Sequence, residues 1–513
     1  MKIGCVYTVE RGATTEKPLP CAMDIPFGMA IIATVLKHAG HEVQLLVFSP
    51  RSRYAETIAR YIETHRPQLF CLTAVSTQFA FVRELARLVK HIDPSIFVIL
   101  GGHHASLDSE EAIKTPDLDA ICVGEGDRSV VDLARRMHTG EPLTGIPHLW
   151  LKRPDGTVEK NPPAAFEQDL NSLPYIDREM WEPWVAHPDQ YPSVLLGRGC
   201  PFRCTYCSAH AMRRLSEGRF LRFRSPENIV GEIAAISARY PHVDNMYLEV
   251  ETIAHQKEAA PLFATLARFN AAREKKLMFG VNFTVTSTFI RNEEHCREFL
   301  GMLKCANVVY LNIGLESGSE RLRHDVLRRP QYSNTEFRQF CRLAREYGIG
   351  VDLYVLIGIP GETPADFRET IQVVRAARPQ MVQLSIFYPY LGTDLATVAL
   401  ERGLVTRETL NPSLERARPA LDLPTFSRRR VRLEYVLFWF KVYRGVWPLS
   451  KIMAETVRGV IAGSPRLWSA YTRLKEDSRV VRHIRAWYRS SRTRSEDPSN
   501  IHRPTKIDLT YND

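Results

Sequence analysis

Nothing in the chain is apolar for long enough to cross a bilayer as a helix. The longest candidate, Val436 to Trp447, is interrupted by Lys441 and Arg444, short of the roughly 20 apolar residues that a span requires. A signal peptide is missing as well. The opening Met-Lys-Ile-Gly-Cys-Val-Tyr has no apolar core or small-residue cleavage site and reads as a first strand. Cysteine is sparse, ten in 513 residues, which excludes a disulfide framework and predicts a reducing, cytoplasmic setting. No long internal repeat is present, so a solenoid is excluded. Charge of one sign is missing from most of the chain. The net +10 arises because Ser427 to Arg494 carry 17 of the 68 basic residues and 4 of the 58 acidic ones, leaving 51 against 54 elsewhere. The body is nearly neutral and the basicity is local.

What is there is strand–helix alternation, twice. Apolar runs of strand length fall at Ile3–Tyr7, Val43–Phe48, Leu69–Val75, Ile96–Leu100 and Ala120–Val123, with helix-period stretches such as Gly28–His38 and Phe79–His91 between them. Buried strands alternating with helices predict an α/β domain with a doubly wound parallel sheet over residues 1–145. Such domains bind ligands at the carboxyl ends of their strands. The residues at those ends are Ser76 and Thr77, Gly101 and Gly102, and Gly124, Glu125 and Gly126. Residues 146–190 are rich in proline and turn residues and read as a connector. A second alternating series follows over 191–400, with strands at Ser193–Leu196, Asn245–Glu249, Phe279–Val285, Val308–Ile313, Val351–Ile357 and Val382–Phe387. Six units in about 200 residues are too few for a closed eight-fold barrel and fit a partial one. Residues 401–490 predict a helical region, and the polar residues 491–513 a disordered tail.

Seven of the cysteines are scattered, mostly in apolar runs, and read as small buried hydrophobes. The other three stand together in Gly197-Arg-Gly-Cys200-Pro-Phe-Arg-Cys204-Thr-Tyr-Cys207, directly after the first strand of the second series. Thiolates at C-x3-C-x2-C can converge on one metal centre. Two zinc readings stay open: His210 as the fourth ligand of a Cys3His site, or a structural knuckle in a binding protein. An iron–sulfur cubane ordinarily takes four cysteines. Three without a fourth nearby would leave one iron open to a small molecule.

The trio, with Tyr206 before its last cysteine, resembles the radical S-adenosylmethionine superfamily. Further segments agree with its cobalamin-linked branch: Arg224-Ser-Pro-Glu-Asn-Ile-Val-Gly-Glu-Ile, Gly314-Leu-Glu316-Ser317-Gly-Ser, Gly358-Ile-Pro-Gly-Glu362-Thr and Tyr388-Pro-Tyr-Leu-Gly-Thr393. Pro26-Phe-Gly28-Met-Ala, Gly101-Gly-His-His104-Ala and Gly124-Glu-Gly126 resemble the branch's cobalamin-binding domain. The resemblance covers roughly residues 1–450. It implies a B12-binding domain, a partial (β/α)6 radical barrel, and three cofactors: a [4Fe-4S] cluster, S-adenosylmethionine and cobalamin. In that family the cluster's open iron chelates S-adenosylmethionine, and one electron releases a 5′-deoxyadenosyl radical that abstracts hydrogen from an unactivated carbon. The implied activity is transfer of a methyl group through methylcobalamin to such a carbon of a biosynthetic intermediate. Ring closure or rearrangement with the same cofactors is the alternative.

The resemblance assigns Cys200, Cys204 and Cys207 to the cluster, and Tyr206, Glu316 and Ser317 to S-adenosylmethionine. Ser76, Thr77, Gly101, Gly102, His104, Gly124, Glu125 and Gly126 are assigned to cobalamin. The chain departs from the pattern after strand two of the barrel, where relatives carry Glu-Asp-Asp-x-Phe and this sequence has Glu249-Val-Glu251-Thr-Ile253; Glu251 takes the second Asp position. It also lacks the Asp-x-His-x-x-Gly of proteins that ligate cobalt through histidine. Val6 to Gly12 contains none, so neither His103 nor His104 is expected to ligate cobalt in that way. The implied partners are a small-molecule or lipid-like substrate and an external electron donor such as flavodoxin or ferredoxin.

The basic region mixes arginine with aromatics: Arg428-Arg-Arg-Val-Arg432, Val436-Leu-Phe-Trp-Phe-Lys-Val-Tyr443, then Trp468, Tyr471 and Trp487. Two readings compete. Its helices pack on the barrel with a solvated arginine face, or they form an amphipathic element for peripheral contact with a membrane or around a lipid-like substrate. Nucleic acid is not expected, since no helix-turn-helix or RNA-binding motif is present.

Overall fold

Runs rich in Val, Ile, Leu and Phe form strands close to where the alternation predicts them. The computed structural model describes residues 1–10, 16–253, 256–410, 415–464, 467 and 470. In the first half β1 (Lys2–Thr8), β2 (Glu42–Phe48), β3 (Leu69–Thr73), β4 (Phe97–Gly101) and β5 (Ala120–Cys122) lie parallel in the order β2-β1-β3-β4-β5. Alternate residues serve two cores, because successive side chains of a strand point to opposite faces. Ile3, Cys5, Leu45, Val47 and Leu69 pack with helix Phe27–His38 on one side. Val6, Leu46, Phe48, Phe70 and Leu72 pack with helices Tyr54–His65 and Phe79–Ile92 on the other. The strand order reverses between β1 and β3, which is the switch point where a doubly wound sheet opens a crevice for ligands.

The stretch expected as a connector does more than connect. β6 (Leu149–Lys152) and β7 (Val158–Lys160) extend the first sheet antiparallel beyond β5. Val185–His187 pairs in parallel with Leu19–Cys21, and Trp181 is fully buried in the first core. Proline-rich composition masked strands of only three or four residues.

The second half forms a six-stranded parallel sheet whose order follows the chain: β8 (Ser193–Leu195), β9 (Asn245–Ile253), β10 (Met278–Phe283), β11 (Val308–Glu316), β12 (Gly350–Ile357) and β13 (Met381–Ile386). Crossover helices between them bury their apolar faces in the largest core. Their starts are written locally. Ser225 accepts from the Asn228 N–H, while Ser333 with Glu336 and Thr363 with Asp366 form capping boxes. Tyr191, Tyr247 and Tyr310 make a separate buried cluster. A Cβ on Gly280 would lie 2.0 Å from the Tyr310 ring, so glycine is what lets that ring fit.

Of the two readings of the basic region, packing holds for its first helix. Helix Arg428–Tyr443 buries Val431, Tyr435, Phe438, Trp439 and Val442 in the barrel core. Helix Leu449–Ala462 returns beside it. Trp468, Tyr471, Trp487 and the 491–513 tail lie outside the described residues. No helix among the described residues is long and apolar enough to cross a membrane.

Candidate functional site

The cysteine loop leaves β8 through a two-residue antiparallel pairing of Gly197–Arg198 with Arg222–Phe223. Both glycines are required by close approach. A Cβ on Gly197 would stand 2.3 Å from the Arg222 carbonyl oxygen; on Gly199, at φ +91°, it would stand 2.2 Å from that of Phe220. The loop is pinned further on by Thr205, whose N–H donates to Leu327 O (3.1 Å) and whose hydroxyl donates to Val326 O (2.6 Å). Cys204 is buried, and Cys200 and Cys207 are half-buried. Burial pushes the Cys200 thiol up to about 12, with Cys207, Cys204 and Glu251 adding to the shift. Burial raises Cys207 too, and Cys204 contributes. Each thiol must lose its proton to ligate iron.

Three cysteines on one loop, with no fourth beside them in the chain, have the donor chemistry of a cluster with one open iron. Among the described residues no three His, Cys, Asp or Glu side chains form a group that could hold a metal ion. A cubane spreads its thiolates over separate irons, wider than one tetrahedral zinc would. His210, the candidate fourth zinc ligand, faces Asp394 instead, at 3.4 Å.

Beside the trio stands a buried charge network. Glu316 ends β11 at φ +60°, a left-handed conformation uncommon for a residue with a side chain. Its carboxyl pKa is raised by burial, against the lowering effect of Arg329 and of a hydrogen bond from Tyr206. Arg329 donates to the Tyr206 hydroxyl (3.4 Å), to Gly314 O and, at 3.9 Å, to Cys204 Sγ. Gly314 leaves the space: a Cβ there would meet the Glu316 carboxylate at 2.4 Å and the Arg329 guanidinium at 3.0 Å. Sequence reasoning missed Arg329. It sits in Leu327-Arg-Arg-Pro330, where nothing marks one arginine over its neighbour.

Tyr206 and Glu316 line a cavity of about 390 Å³, walled by Tyr354, Gln383, Ser385 and Tyr388 and bordered by Arg416. Ser317 does not join them. It is fully buried, its hydroxyl accepts from the Ser319 N–H (3.2 Å), and its carbonyl accepts from Arg323 (2.7 Å). It holds the turn together. Glu251 lies near the end of β9, exposed over part of its surface, with its carboxylate accepting from the Gly199 N–H at 3.2 Å beside the cysteine loop. Protein around it raises its pKa by desolvation. It therefore abuts the cysteine loop from the strand expected to supply an acid.

The expected cobalamin residues gather at the carboxyl ends of β3, β4 and β5. Ser76 and Thr77 are half-buried in the turn before helix Phe79–Ile92. Gly102, at φ +90°, has no room for a Cβ, which would meet Thr73 Oγ1 at 2.5 Å. His104 is buried against Phe79, ring centroids 3.8 Å apart, and desolvation lowers its pKa, which favours the neutral imidazole. Gly101 closes β4. Gly124, at φ +96°, donates its N–H to Ser106 Oγ (3.0 Å), and Gly126 packs on Cys122. Glu125 faces the other domain. Its carboxylate accepts from Arg222 at 2.7 and 3.0 Å, and Arg198 stands 3.5 Å away. Arg198 is held in turn by Asp127, at 2.5 and 3.1 Å. The loop after β5 is thus fastened two residues ahead of Cys200. Asp127 and Arg198 were not anticipated, although both flank motifs that were.

Two domain families match this arrangement: the B12 binding domain over residues 25–134 and the radical SAM superfamily over residues 194–374. The chain thus carries a radical SAM domain preceded by a B12-binding domain. These domains define its cofactors as cobalamin, S-adenosylmethionine and a [4Fe-4S] cluster.

Among curated proteins it is similar to an uncharacterised methyltransferase of Pyrococcus horikoshii, 24% identical over 81% of this chain and 88% of the relative. It is 25% identical to the hopanoid C-3 methylase of Methylococcus capsulatus, over 80% of this chain and 76% of that protein. It is also 24% identical to the anaerobic magnesium-protoporphyrin IX monomethyl ester cyclase of Rubrivivax gelatinosus, over 72% and 65%. Among solved structures the fold resembles the radical S-adenosylmethionine methyltransferase TsrM from Kitasatospora setae, with TM-score 0.63 and 19% identity over 80% of this chain and 79% of that one. It also resembles the cobalamin-dependent S-adenosylmethionine radical enzyme OxsB, with TM-score 0.66 and 15% identity over 96% and 75%.

Proposed function

We propose that the protein is a cobalamin-dependent radical C-methyltransferase, moving a methyl group from S-adenosylmethionine to an unactivated carbon of a small biosynthetic intermediate. The observation that carries this reading is the fastening of Asp127 and Glu125 to Arg198 and Arg222. It holds the ligand-binding end of a doubly wound sheet against the cysteine loop, so that two cofactors would share one cleft.

In this reading Cys200, Cys204 and Cys207 hold the cluster, and Tyr206 with Glu316 receives the nucleoside. Glu251 stands by the cluster loop. The turns at Ser76–Thr77, Gly101–Gly102 and Gly124–Gly126, together with His104, border the corrin. When bound, these cofactors supply one-electron cleavage of S-adenosylmethionine and a transferable methyl group. The residues of the chain position and exclude water. Arg329 offsets the carboxylate of Glu316 and sets a positive charge against Cys204. Burial keeps the Tyr206 phenol protonated, so it acts as a donor. An external one-electron donor is needed to start each turnover.

The likeness to the anaerobic cyclase supports a second reading, ring closure in the same cleft. Anaerobically reconstituted protein, given reductant, cobalamin and S-adenosylmethionine labelled in its methyl group, separates the two. A product carrying the labelled methyl, with S-adenosylhomocysteine and 5′-deoxyadenosine formed together, is the expected result. 5′-Deoxyadenosine alone, with a product that gains no methyl, assigns ring closure instead.

A further inference from the structure

The last described helix is built in reverse for a water-facing element. Its inner side is carried by Ile452 and Gly459, the latter packed on Tyr435 and Val436 of the preceding helix. Its outer side carries Leu449, Met453, Val457 and Val460, which share one helical face at spacings of four, four and three residues. With Val446 in the turn before it, this stripe is between 40% and 67% exposed at every position. Leu433 and Phe440, seven residues apart on helix Arg428–Tyr443, are exposed as well. Single exposed apolar residues are ordinary, whereas a continuous stripe marks an interaction surface.

Charge decides what it meets. Residues 427–464 hold eight basic and two acidic residues, and residues 465–494 add nine and two. Arg429, Arg432, Arg444 and Lys451 are exposed on the same two helices. Arg444 lies over the Phe440 ring and Lys451 over the Trp447 ring, an arrangement that keeps cations beside apolar surface. A second copy would bring two strongly basic faces together, and the chain's own following segment is just as basic, so both are opposed electrostatically. Nucleic acid would satisfy the arginines and leave the aliphatic stripe in water. An anionic lipid surface satisfies both, with headgroups for the cations and the acyl boundary for the stripe.

We propose that the two-helix hairpin 428–462 docks this protein on anionic membranes through the Val446–Val460 stripe and its flanking basic residues. The site does not depend on the cofactors, so full-length protein can be tested with or without them.

The test is co-sedimentation with vesicles of phosphatidylcholine alone and of equimolar phosphatidylcholine and phosphatidylglycerol. Binding is expected only to the anionic vesicles, and raising the salt should weaken it roughly ten-fold or more. The double variant Met453→Glu, Val457→Glu should abolish binding with no change in melting temperature, because both sites are exposed. Should that variant misfold, Arg429→Ala with Arg432→Ala and Lys451→Ala tests the same face, and a loss of roughly ten-fold or more is expected. Failure to bind either vesicle overturns the proposal, as does binding that both variant sets leave unchanged. A concentration-dependent dimer that the glutamates disperse, without vesicle binding, would assign the face to a second copy instead.

Discussion

Arg329 and Glu316 are the pair on which the polar centre rests. Both are surrounded by protein, and each offsets the other's desolvation. Arg329→Met would leave the Glu316 carboxyl buried without the positive charge that opposes its desolvation. The expected outcome is a lower denaturation midpoint, rescued in part by the added substitution Glu316→Gln. An additive double variant would sink the coupling. Glu362 behaves differently. It is fully buried, and burial raises its carboxyl pKa from 4.5 to about 8, against the N–H groups of Gly358 and Ile359 that donate to it. The folded chain keeps a proton that the unfolded chain releases near 4.5. This contribution to stability is complete below that pH and is lost as the pH rises toward 8. Glu362→Gln retains an acceptor and removes the titration, so its melting temperature should fall less than the wild type's between about pH 5 and about pH 8. Equal slopes would show that Glu362 is not the group responsible.

Among the elements, the short hairpin that opens the cysteine loop is the most constrained. Gly199 is left-handed and nearly touches Phe220 O. An alanine there costs about 1–2 kcal/mol for the backbone conformation alone and must also push the two chains apart. Gly199→Ala should therefore bind less iron and sulfide per chain after reconstitution while the far-ultraviolet dichroism stays native. Wild-type iron content in that variant would refute the constraint. The strands themselves were legible to within a residue or two, with β9 and β11 as exceptions. Val250 to Ile253 belong to β9 although two glutamates and a threonine weaken the apolar run. β11 runs on through Gly314-Leu-Glu316, where a glycine breaks the pattern and a charged residue follows. In both cases the strand extends into the site, where polar residues are needed at its end. The short strands of 146–190 were illegible for another reason: three or four residues among prolines hold no period to read.

For the whole molecule, ion pairs fasten the loop after β5 to the start of the cysteine loop. Arg198 and Asp127 are mostly buried, with side chains 17% and 8% exposed, so breaking the pair leaves Arg198 only its longer contact with Glu125. Asp127→Asn is expected to lower stability by ~3 kcal/mol at most and to make residues 139–190 more sensitive to limited proteolysis, since that stretch bridges the halves. A midpoint and cleavage pattern equal to the wild type's would mean that other contacts hold the domains together.

Periodicity and motif order, both local properties of the chain, were enough to determine two parallel α/β units, the strand that leads into the cysteines, and the turns at the carboxyl ends. Caps and turn glycines act within a few residues of themselves, so they are readable in one dimension. The tertiary structure decided who neighbours whom. Arg329 reaches Cys204 across 125 positions and Arg198 reaches Asp127 across 71. Ser317 turns inward while Glu316 beside it faces the cavity. Desolvation and Coulomb attraction depend on distance in space and on what excludes water, and neither quantity is carried by spacing along the chain.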